Sequence, residues 1–133
     1  MLSQYEDIRD FNSPPVVKQN DFTSVNFSVY YDYTNYEDPR RSQFMQYVSL
    51  YGKSAGSRNW KMICMWTDVV NKGESLSKLY SCNPLALVPA GNYVLRATVH
   101  TTDRLGCLSD VGHTPLPLDG CGDFSDNALQ VVK

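Results

Sequence analysis

Leu87-Val88-Pro89-Ala90-Gly91-Asn92-Tyr93 opens a run in which, Val94 apart, apolar and polar residues alternate as far as His100. Tyr93, Leu95, Ala97 and Val99 share one parity; Asn92, Arg96, Thr98 and His100 share the other. Period-two alternation of this length predicts a strand with one buried and one wet face. A Pro-Ala-Gly corner feeding a strand whose first inward residue is Tyr carries the chain between sheets in many Greek-key sandwiches. No other part of the chain constrains the architecture as tightly.

Working outward, alternation also begins at Phe22, with Val25, Phe27, Val29 and Tyr31 on one face. Asn26, Ser28, Tyr30 and Asp32 take the other, so the glycosylation sequon at Asn26 points outward. Phe44–Tyr51 and Trp60–Trp66 read as strands flanking a hairpin tip, Gly52–Arg58, with two glycines and no large apolar side chain. Ser75–Cys82 alternates weakly, and Ala128–Lys133 reads as the last strand. Residues 1–21 are polar, acidic and broken by Ser13-Pro14-Pro15, so they read as an extended arm. The expectation is an all-β, immunoglobulin-like antiparallel β-sandwich of about seven strands. One domain spans residues 22–133 and carries a disulfide-stapled C-terminal loop; a closed barrel is the alternative.

Composition narrows the function classes. Twelve basic and fourteen acidic residues give a net charge of −2, and no basic cluster exceeds Arg40-Arg41. That argues against a nucleic-acid partner, which calls for a basic stripe. No apolar run approaches the ~20 residues that span a bilayer. The first seven residues have neither the basic start nor the apolar centre of a signal peptide.

Cys64, Cys82, Cys107 and Cys121 form an even set with three possible pairings. Cys107 with Cys121 and Cys64 with Cys82 is the favoured arrangement, Cys64 with Cys107 an open alternative. Two disulfides imply an oxidising compartment, hence a secreted or surface-exposed protein. Neither the cysteines nor His100 and His113 follow a zinc spacing, so no metal or other cofactor is expected. Both histidines read as surface residues. The Asp119–Asp126 stretch holds three carboxylates between glycines but lacks the closing Glu of a calcium loop, and reads as a solvated turn. With no nucleophile elbow, metalloprotease helix or phosphate loop, the chain is not expected to be an enzyme.

The aromatic excess, nine Tyr, two Trp and five Phe, is what the fold alone does not absorb. Phe44–Tyr51 and Trp60–Trp66 are apolar on both parities, yet a sheet in a two-layer fold has only one core face. The second apolar face therefore needs a cover: the chain's own ends, a second copy, a ligand or a partner. Tyr and Trp combine stiff contact area with a polar tip, which suits recognition. A protein or glycan surface is accordingly expected on this hairpin, with Tyr47, Tyr51, Trp60 and Trp66 as anchors and Lys53 and Arg58 as rim charges. A lipid or small apolar ligand carrier, with a cavity lined by Phe27, Val29, Leu95, Ala97 and Val99, is the second expectation. A structural subunit of a larger assembly (capsid, tail or fibre), self-associating through the same face, is the third.

Tyr47-Val48-Ser49-Leu50-Tyr51-Gly52, Ile63-Cys64, Lys72-Gly73-Glu74 and Val88–Val99 with Asp103 and Cys107 resemble the order of elements in ML-type lipid-recognition domains. The resemblance implies a secreted immunoglobulin-like sandwich whose sheets part to hold a lipid. The Pro-Ala-Gly-x-Tyr corner is also similar to that of fibronectin-like and other immunoglobulin-like modules, which share no single function.

Overall fold

The computed structural model describes residues 4–20, 24–83, 89–107, 115–117 and 120–133. Among them are eight strands: β1 (Glu6–Asn12), β2 (Val16–Lys18), β3 (Val25–Asp32), β4 (Gln43–Ser54), β5 (Lys61–Asn71), β6 (Ser75–Cys82), β7 (Gly91–Thr101) and β8 (Gly122–Val132). They form a three-stranded sheet in the order β1-β3-β6 and a five-stranded sheet in the order β2-β8-β7-β4-β5. All neighbours are antiparallel except β2, which runs parallel to β8. Phe22, Leu87, Val88, His113 and Asp119, on which parts of the sequence reading rest, lie outside the described residues.

The alternation seen in the sequence is the alternation of burial. In β3, Val25, Phe27, Val29 and Tyr31 are buried, while the intervening residues are half-buried. Tyr93, Leu95, Ala97 and Val99 of β7 face the same core. The sheets meet across these rows, with Phe27 packed on Tyr80 of β6 and edge-on to Trp66 of β5. Phe27, Val29, Leu95, Ala97 and Val99 are sealed in this core, and none of them lines a cleft described below. Tyr93 closes the corner that precedes β7 by donating its hydroxyl to the Pro89 carbonyl at 2.6 Å.

The N-terminal segment is not an arm. β1 pairs with β3 at one sheet's edge, and β2 pairs with β8 at the other's, so residues 6–18 serve both layers. A bulge between Arg9 and Asn12, with Asp10 at φ 54°, lets the chain turn away from β3 before Pro14. Pro14 and Pro15 then precede a three-residue edge strand, where a missing N–H is tolerated. Strand character was hidden at Glu6 because a carboxylate occupies an inward position. Glu6 is wholly buried, 2.6 Å from the Arg104 guanidinium.

The last strand also begins earlier than residue 128. Gly122–Asp126 is the first half of β8, not a solvated turn. Its inward residues are polar because they serve β1: the Asp123 carboxylate accepts the Ile8 N–H at 2.9 Å, and the Asn127 amide donates to the Phe11 carbonyl at 2.7 Å. Gly122 sits opposite His100, where any Cβ would overlap the Val99 carbonyl.

Two disulfides form, Cys64–Cys82 and Cys107–Cys121. The first ties β5 to β6, the adjoining edges of the two sheets; the second closes the loop before β8. Their sequence separations are 18 and 14 residues, for which the chain-entropy model gives about 3 kcal/mol each. They fit an oxidising environment. Among the described residues no helix is long and apolar enough to cross a membrane.

Candidate functional site: the outer face of the five-stranded sheet

Cross-strand register decides which residues share the outer face. Met45 pairs with Val69, Tyr47 with Thr67, Ser49 with Met65 and Tyr51 with Met62. Across β4, Tyr47, Ser49 and Tyr51 meet His100, Thr98 and Arg96 of β7, which in turn meet Gly122, Phe124 and Asp126 of β8. The face is therefore one continuous surface, and its two halves are treated differently.

On the β7–β8 half the outward residues from Arg96 to His100, and Gly122 and Phe124 opposite them, are buried or half-buried. Thr98 is wholly buried, and so is His100, which corrects its reading as a surface histidine. The Arg96 guanidinium lies between two rings, 4.6 Å from Trp60 and 4.3 Å from Phe124, and binds Asp126 through two hydrogen bonds of 2.6 and 2.7 Å. Its remaining nitrogen donates to the Pro115 carbonyl, and Pro117 is buried, so the described part of the C-terminal loop lies against this half.

On the β4–β5 half Ser49 and Tyr51 are buried, but an apolar row beside them is open to water. Met45, Met62, Met65 and Val69 are each between 41% and 52% exposed. β5 is also the outermost strand of its sheet.

The six residues expected to bind a partner distribute unevenly over this geometry. Tyr47 is half-buried on the outer face between Thr67 and His100. Tyr51 shares that face but is only 5% exposed, so it packs rather than presents; burial raises the pKa of its hydroxyl. Lys53 Nζ donates to the Ser57 carbonyl at 2.8 Å and sits 5.3 Å from the Trp60 ring, which is half-buried at the start of β5. Arg58 is exposed at the hairpin tip. Trp66 lies on the opposite parity and belongs to the core with Phe27 and Tyr80, a correction to its role as anchor. Asn26 is half-buried in β3, opposite Asn12 and Ser81.

Sequence reasoning missed Arg96, Phe124 and the methionines as members of the surface. Their signal was present, since a second apolar parity in β4 and β5 is that row of methionines. Arg96 and Phe124 gave none, because the contact joins strands 28 residues apart in sequence.

A second cluster stands where the β1–β3 end meets the loop after β7. Glu6 accepts two hydrogen bonds from Arg104, whose guanidinium also binds the Tyr33 hydroxyl, the Gly120 carbonyl and the Tyr5 ring face. Gln46 donates to the same Tyr33 hydroxyl, which burial, and next the Glu6 carboxylate, push well above its ordinary pKa. A cleft of about 500 Å3 opens above it, between Tyr36, Glu37, Leu105 and Cys107. Tyr5 has Tyr33 stacked 5.2 Å away and the Arg104 guanidinium 4.5 Å from its ring centre, and Asp38 is held by Arg40 at a pKa of about 2. The cluster's polar groups are thus committed to holding the fold. Among the described residues no group of three His, Cys, Asp or Glu side chains is arranged to hold a metal ion.

No protein-family model matches the chain, and no curated protein matches it. Solved structures do. The sporulation control protein Spo0M from Bacillus subtilis is similar over 97% of this chain, at 10% identity and a TM-score of 0.43. The chain spans half of that protein's length. AvmM, described as catalysing macrocyclization in alchivemycin A biosynthesis, is similar over 96% of this chain and 88% of its own, at 12% identity and a TM-score of 0.43. The expectation that the chain is not an enzyme stands against this second likeness, which is to a catalyst. At that similarity neither an activity nor a residue is carried over.

Proposed function

We propose that this chain is a secreted or surface-exposed recognition module that binds a protein partner through the β4–β5 half of the outer face. The observation that carries the reading is the row Met45, Met62, Met65 and Val69, exposed on register-paired positions of one face. Methionine adapts to varied partner shapes, and Trp60, held by Arg96 and Lys53, adds a stiff aromatic at the row's end. An apolar row of this kind suits a protein better than a glycan.

An immunoglobulin-type arrangement is part of the same proposal. It is supported by the division of the N-terminal strand between the two sheets, the order β2-β8-β7-β4-β5 and the Tyr93 hydroxyl on the corner carbonyl.

The test compares wild type with the Met65→Glu/Val69→Glu double variant and with Leu79→Glu, which changes an exposed residue of the other sheet. Affinity capture, followed by titration of the purified partner, should show a loss of about 2 kcal/mol or more, roughly 30-fold, for the double variant alone. Equal affinity in all three chains removes the surface. Competition by a soluble glycan replaces the protein partner with a sugar.

A further inference from the structure

We infer that the cleft between the β4–β5 hairpin and the Pro89–Tyr93 corner binds a small carboxylate with an apolar tail, of the chemistry of a medium-chain fatty acid. The cleft encloses about 270 Å3. Ile63, Pro89 and Tyr93 make its apolar floor, and Lys53 and Lys61 stand on its wall with Ser57 and Asn59. Among the described residues that line it there is no carboxylate to pair with the two ammonium groups.

The floor depends on Gly52. A Cβ there would stand 2.9 Å from Ile63 Cδ1 and 3.3 Å from Leu95 Cδ2, so the missing side chain is what leaves Ile63 its place. Lys53 spends one N–H on the Ser57 carbonyl and keeps two for an anion; Lys61 is exposed. Cation pair above and apolar floor below match a ligand with a charged head and a greasy tail. A bare phosphate would satisfy the lysines and leave the floor unused. The volume lies under the ~300 Å3 at which drug-sized sites begin, which restricts the occupant to a small molecule. None of Met45, Met62, Met65 and Val69 lines the cleft, which shares only Lys53, and through it Trp60, with the proposed surface, so methionine variants separate the two sites.

Octanoate is the probe, titrated into the full chain and followed by calorimetry and by tryptophan fluorescence, since Trp60 adjoins Lys53. Saturable binding is expected. Lys53→Gln/Lys61→Gln should weaken it about tenfold or more, as should replacing octanoate by its methyl ester, because each removes charge-assisted hydrogen bonds. Ile63→Phe, which fills the floor and leaves the lysines, should weaken it as well, while Met65→Glu should not. Absence of saturable binding, equal affinity for the ester, or unchanged affinity in the lysine variant overturns the site.

Discussion

The two halves of the outer face invert the usual partition of side chains. On the β7–β8 half a histidine, a threonine and an arginine are covered, while on the β4–β5 half three methionines and a valine are open to water. Both halves belong to one sheet and one parity. Residue type alone therefore does not decide burial; what lies on top does. The covered half has the described part of the C-terminal loop, held through Arg96 and Pro115. On the other half Met45, Met62, Met65 and Val69 stay exposed, which is why it is the better candidate for a partner.

Substitutions break or sharpen this contrast, and the largest effect belongs to the buried Glu6–Arg104 charge pair of the second cluster. Arg104→Gln leaves Glu6 buried without its counter-charge, and should cost about 3–5 kcal/mol in denaturant unfolding. A midpoint near wild type would show that the pair does not hold β1 in place. Gly122→Ala forces a Cβ into the Val99 carbonyl, against backbone that cannot rotate away. A loss at the upper end of the ~1–3 kcal/mol overpacking range is expected, measured as a drop in Tm. Arg96→Ala removes the guanidinium from between Trp60 and Phe124, and should cost about 1–2 kcal/mol with a red shift in tryptophan emission. Met65→Glu should stay within ~0.5 kcal/mol of wild type, since that side chain is exposed on the sheet surface. A large destabilisation there would mean the methionine row is structural, and the contrast between the halves would disappear.

Where inward residues were apolar, strands were legible from the chain alone. β3 and β7 read correctly because Val, Phe, Leu and Ala alternate with polar residues, and β6 was bounded correctly despite weaker alternation. β1 and the first half of β8 were missed for one shared reason. Their inward residues, Glu6, Asp123 and Asn127, are polar, and each is satisfied by a residue about a hundred positions away. A period-two pattern of hydrophobicity cannot register a carboxylate whose inward place is made tolerable by a distant guanidinium.

The candidate surface divides in the same way. The double apolar parity of β4 and β5 announced that a second face needed a cover, and the row of methionines is that face. Trp66 was assigned to the wrong side because, in a strand apolar on both parities, composition gives no direction. The β4–β5 pairing supplies it, setting Trp66 opposite the buried Val48 and Met65 opposite Ser49.

Local chemistry by itself determined the β class, the corner at Pro89–Tyr93 and the inward rows of β3 and β7. Each of those follows from backbone geometry and neighbours a few residues away. Tertiary structure alone decided the cysteine pairing, the burial of Glu6 and His100, and which apolar row stays open to water. These depend on contacts between segments distant in sequence, and the free energy of burying a group is set by the partner that arrives, not by the group itself.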